Sequence, residues 1–189
     1  TLASMEKTGG IIDDPALAAL LSLLESKGPR KGAQFLAKIA AINPDRATQV
    51  GLDAARHSSK QGNPAAACRL LKQILYASPK NGEAWLELAE NRARLGDNQA
   101  KLKILNKLRT AQDWDLEPAV LEKVWQTWAE LETKRGELDL VVAQLDDYLI
   151  THQRQQWPRL IISQIYSKRF LRAEDRAALR EGLPYDEDG

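Results

Sequence analysis

GNPAAACRLLKQILYASPKNGEAWLELAENRARLG, residues 62–96, begins and ends on a glycine followed by a polar turn residue. Gly62 and Gly96 lie 34 residues apart, Gly28 lies 34 residues before Gly62, and Gly136 lies 40 after Gly96. A fixed period of this size marks one supersecondary unit stacked on copies of itself. Its length fits two helices of about 14 residues joined by a glycine turn and a short connector. The chain is therefore predicted to be all-α, an array of about four helix–turn–helix hairpins.

Outward from that stretch, the breakers fall where the hairpins require them. Gln61-Gly62-Asn63-Pro64 is the strongest break, and Asn43-Pro44, Ser78-Pro79 and Gly96-Asp97-Asn98 are others. Leu17, Leu20, Leu21 and Leu24 follow helical spacing up to Gly28, read as a C-cap. Phe35, Leu36, Ile39 and Ile42 form the returning face. The helix at 46–60 offers only Val50, Leu52, Ala54 and Ala55, so it must pack closely on small side chains. Ala67, Leu70, Leu71, Ile74 and Leu75 follow, then Trp85, Leu88, Ala89 and Leu95, then Leu102, Ile104, Leu105 and Leu108. The period then slips by six residues, which places an inserted loop around Asp113-Trp114-Asp115 before Pro118 restarts the pattern. Val124, Trp125, Trp128, Val141, Leu145 and Tyr148 face a further core, and Pro158 opens a capping helix with Ile161, Ile162 and Ile165. These breaks predict an arm at 1–12 and hairpins at 13–44, 45–80, 81–117 and 118–153. A C-terminal cap at 154–182 and an acidic tail at 183–189 follow.

Composition narrows the function classes. With 43% hydrophobic and 28% charged residues in 189, the chain reads as a folded domain rather than a disordered one. A net charge of +1 provides no general attraction to nucleic acid or anionic membranes. The basic stretches Lys101–Arg109 and Lys168–Arg176 are interleaved with leucines or acids, so no nucleic-acid partner is expected. No run approaches a membrane span. The single cysteine, Cys68, excludes an internal disulfide and a multi-cysteine zinc site, and fits a reducing compartment such as the cytoplasm. Thr1, with Met5 inside the chain, reads as a processed or truncated start, which leaves an upstream segment as an expectation.

Trp85-x-x-Leu88-Ala89 followed by Gly96-Asp97, Trp125-x-x-Trp128-Ala129 followed by Gly136, and Ala67-x-x-x-Leu71 with Pro79 resemble the tetratricopeptide repeat (TPR) family over roughly residues 14–153. Where that family places a tyrosine late in the first helix, this chain has Ser58, Arg92 and Glu132. The resemblance implies a right-handed α-solenoid whose first helices line a concave groove, and a non-catalytic scaffold that binds a peptide or helix of a partner protein. The lysine-and-asparagine clamp of chaperone-binding TPR modules is not reproduced, because Leu52 and Arg56 occupy the matching places.

The polar faces of the first helices supply the candidate groove residues: Arg56 and Lys60, Glu90 and Arg94, Glu130 and Lys134. Lys60, Arg94 and Lys134 form a cationic ladder that would suit an acidic segment or a terminal carboxylate. The same cations sit in last turns, where the helix dipole favours them, and Glu90/Arg94 and Glu130/Lys134 are i, i+4 pairs that support a helix without any ligand. Trp114, in the inserted loop, is expected to be an exposed contact point. Trp85, Trp125 and Trp128 read as packing residues, and Trp157 as part of the cap. No catalytic, cofactor or metal site is expected: His57 and His152 are far apart, and neither belongs to a ligand spacing. Three readings stay open. They are an interaction module, an accessory domain of a larger enzyme or assembly, and a subunit that dimerises through its apolar end helix.

Overall fold

A computed structural model describes residues 14–167 except Gln112 and Asp115. The expected arm, the segment at 173–182 and the acidic tail lie outside the described residues. Among the described residues the only regular elements are helices. They are α1 (Asp14–Lys27), α2 (Pro29–Ile42), α3 (Pro44–Lys60), α4 (Pro64–Ala77), α5 (Gly82–Arg94), α6 (Asn98–Arg109), α7 (Pro118–Arg135), α8 (Leu138–Thr151) and α9, residues 157–167.

One local device starts four of these helices. Asn43, Asn63, Asn81 and Asp97 each accept a hydrogen bond from the amide three residues on (Arg46, Ala66, Ala84 and Ala100), at 2.8–3.1 Å. Each satisfies a donor that the first turn leaves without a partner. A second device stops three of them. Gly62, Gly96 and Gly136 take φ of 76, 82 and 92°, and the amide after each donates five residues back, to Ser58, Arg92 and Glu132. This is the left-handed C-cap that glycine favours. Gly28 differs. Its amide caps the carbonyls of Leu24 and Glu25, but its φ of 161° is extended backbone, and a Cβ there would meet nothing within 4 Å. Gly96→Ala is therefore expected to cost about 1 kcal/mol, while Gly28→Ala should stay within about 0.5 kcal/mol of unchanged. Urea denaturation of the two variants checks this, and equal losses would contradict it.

The chain divides into two compact units, Thr1–Leu121 and Glu122–Gly189, each with its own core. In the first, α1 packs on α2 and α3, α4 lies between α3 and α5, and α6 returns along α5. Leu17, Leu21, Leu36, Ile39, Val50, Leu52, Ala54, Leu70, Leu71, Ile74 and Leu88 are buried there. The small-residue reading of α3 holds: at Gly51 a Cβ would stand 2.9 Å from Ile74 Cδ1, so α4 comes this close only because the side chain is missing. Two expected core residues are corrected. Ile42 and Leu95 are 67% and 47% exposed. Each lies at the end of its helix, where the chain leaves the packed face for the turn.

The second unit is organised by aromatic rings. Trp128 packs edge-on against Trp125 at 5.6 Å between centroids, and Trp125 meets Tyr148 at 5.0 Å and Trp157 at 6.1 Å. Val124, Val141, Leu145, Ile161 and Ile165 are buried in this unit. Trp157 thus packs the cap, as the sequence predicts.

Candidate interaction surface

The first-helix polar face of unit 1 lies on α3 and α5. Arg56 is held by three carboxylates. Its guanidinium donates to Glu87 Oε1 at 3.0 Å, to Asp53 Oδ1 at 3.3 Å and to Glu83 Oε1. Burial opposes its charge, but the hydrogen bonds and charges of Glu87 and Glu83 outweigh it and raise the pKa further above the ordinary arginine range. A raised folded-state pKa means that the stabilisation by the arginine charge is present at every pH below that range. It is lost only as pH rises through the folded-state value. Arg56 is therefore a strut between two helices, already supplied with anions.

Arg94 is committed as well. It donates to the backbone oxygen of Ser59 at 3.3 Å and to the Ser59 hydroxyl, which in turn donates to Asn91 Oδ1 at 2.6 Å. Glu90 pairs with Lys101 on α6 at 3.4 Å instead of with Arg94, so the expected i, i+4 pair gives way to a contact across the hairpin. Lys60 is exposed in unit 1, and Glu130 and Lys134 are exposed in unit 2. Of the six candidates, Arg56, Glu90 and Arg94 have structural partners, whereas Lys60, Glu130 and Lys134 face solvent.

Trp114 is half-buried rather than loosely displayed. Its ring lies 6.4 Å from that of Trp85, with Lys107 Nζ 4.1 Å from the Trp85 centroid and 5.2 Å from that of Trp114. Trp85 Nε1 donates to Pro79 O at 2.8 Å, and Lys80 Nζ donates to Asp113 O at 3.2 Å. The insertion is thus clasped back onto the start of α5. Trp114→Ala should release it, at a cost of about 1–2 kcal/mol from lost ring packing and cation–π contact. A red shift of the Trp85 fluorescence would accompany the loss, and an unshifted spectrum would contradict the clasp.

The clasp shapes a cleft of about 270 Å³ lined by Lys80, Asn81, Gly82, Glu83, Leu116, Glu117 and Val120. Gly82 is required for this shape, since a Cβ there would stand 2.4 Å from Leu116 Cδ2. Only the six-residue slip in the repeat pointed here, because no single residue type along the loop marks a cleft.

Sequence reasoning also missed Glu25. It is fully buried, accepts from Arg69 Nε at 2.6 Å, and has no hydrogen-bond partner at Oε2 among the described residues. Nearby, the buried Ser22 and Ser58 hydroxyls pair at 2.8 Å, so the residue standing in the tyrosine position ties α3 to α1. Cys68 is buried, and burial pushes its thiol above the ordinary range, only partly offset by Arg92, Lys72 and Arg69. A thiol held protonated is a poor nucleophile. Among the described residues no group of three or more His, Cys, Asp or Glu side chains is arranged to hold a metal, and no helix is long and apolar enough to cross a membrane.

Paired helices, left-handed glycine stops and Asx starts at a repeating interval coincide with the architecture of solved repeat proteins. A putative kinesin light chain of Podosopora anserina with nearly identical TPR-like repeats superposes with a TM-score of 0.53 at 16% identity, over 90% of this chain and 94% of that one. A variant of the same protein gives 0.53 at 16% identity, over 90% and 95%. The chain has a TPR-like fold. MamA superposes at 0.50 with 14% identity, over 87% of this chain and 90% of that one. No family model and no curated protein matches the sequence. Within this TPR-like chain, the inserted loop and its clasp mark the place where α6 and α7 depart from the 34-residue interval.

Proposed function

We propose that the chain is a non-catalytic protein-interaction module, binding a peptide or helix of a partner through the polar faces of its first helices. The observation that carries this reading is the division of labour on α3. The buried side supplies the core, while the outer side carries a preorganised network of Arg56, Asp53, Glu83 and Glu87 beside the exposed Lys60. Side chains already fixed lose little entropy on binding, which favours recognition over catalysis. Glu130 and Lys134 extend the same kind of surface in unit 2.

The test is affinity capture from native extract, with wild type and a Lys60→Glu/Lys134→Glu bait compared by mass spectrometry. Arg56→Glu is a poor control, because a fourth carboxylate in that network would perturb the fold itself. A partner retained by wild type and lost by the variant supports the reading. Identical protein sets with both baits would sink it for this face.

A further inference from the structure

We infer that the cleft beside the inserted loop receives a cationic side chain, an arginine or lysine, from a bound polypeptide. The inference rests on the interaction-module reading only for where that cation comes from. The preference of the cleft is a separate property.

Three observations converge on it. The cleft is built rather than incidental, because Trp114 on Trp85, Lys107 over both rings, and Lys80 on Asp113 O hold the loop that forms one wall. Insertions in repeat arrays tend to fall on the binding face. The lining has a chemical order. Leu116 and Val120 offer apolar surface for an alkyl stem, and Glu83 and Glu117 offer carboxylates for its head.

Charge complementarity selects the occupant. Lys80 is engaged by a backbone carbonyl, and Glu83, still 45% exposed, already receives one guanidinium from Arg56 on its far side. Around the cleft, the carboxylates of Asp53, Glu83, Glu87 and Glu117 outnumber the cations Arg56 and Lys80. The amide of Ala84 at the start of α5, which could otherwise attract an anion, is already capped by Asn81.

The experiment titrates the whole chain, labelled for NMR, with N-acetyl-arginine amide, N-acetyl-norleucine amide or sulfate. Saturable shifts at Gly82, Glu83, Leu116 and Val120 are expected with the arginine probe and not with the other two. Glu117 is exposed at the start of α7, so its variants should fold. Glu117→Gln should weaken the arginine probe about threefold, and Glu117→Arg should abolish its shifts. Equal response to norleucine amide would reduce the cleft to an apolar dent and overturn the inference. So would shifts at these residues with sulfate in place of arginine, or no response to arginine at all. A positive titration with failed capture would retain the cleft and reject the first-helix face. The reverse would reject the cleft alone.

Discussion

Trp128→Ala is expected to lower stability by about 4 kcal/mol. The side chain is 1% exposed and is the largest fully buried one. It packs edge-on against Trp125, whose ring in turn contacts Tyr148 of α8 and Trp157 of α9. Removing it leaves a cavity at the base of that chain of rings, and helices pinned at both ends cannot collapse to fill it. The loss then combines the transfer term with an unrelieved cavity. Trp157→Ala should cost less, about 2 kcal/mol, because Trp157 is only half-buried. Urea denaturation followed by helix circular dichroism separates the two. A Trp128→Ala loss smaller than that of Trp157→Ala would refute the assignment of the core.

Gly32→Ala runs against the ordinary rule. Alanine in a helix interior normally gains about 1 kcal/mol over glycine. Here the new Cβ would stand 2.3 Å from Glu25 Oε2, 3.1 Å from its Cβ and 3.2 Å from its Cα. The carboxylate cannot swing clear, since it is fully buried and its other oxygen is held by Arg69. Overpacking together with disturbance of a buried charge should turn the gain into a net loss of about 2 kcal/mol. The clash has one source, so Gly32→Ala in a Glu25→Ala background should change stability by less than about 0.5 kcal/mol. If the double variant loses as much as the single one, the carboxylate is not the obstacle.

These two sites differ in how far they could be read beforehand. Trp128 was legible. It sits at helical spacing from Val124, Leu121 and Leu131, and such a stripe seeks a core. Gly32 was not. Nothing within α2 distinguishes it from a helix glycine tolerated at small cost, because its neighbour is a side chain on α1. The ladder cations behave like Gly32. Lys60, Arg94 and Lys134 are equivalent in sequence, yet Arg94 is bound to Ser59 while Lys60 and Lys134 face solvent. Trp114 shows the same limit. Loop chemistry placed it outside the helices, and only the return of α6 along α5 brings Lys107 and Trp85 to it.

What the sequence determined by itself is the interval and the punctuation. Helical spacing of the apolar residues, Asx residues at the starts and glycines at the stops act within a few residues of chain. Local sterics and local hydrogen bonds therefore suffice to specify them. What only the tertiary structure decided is the pairing. Arg56 met Glu83 and Glu87, Glu25 met Arg69, and the insertion closed over the start of α5. Each of those contacts joins residues 27 or more positions apart. Which charge satisfies which partner depends on how neighbouring helices pack, and the spacing within any one helix carries no record of that.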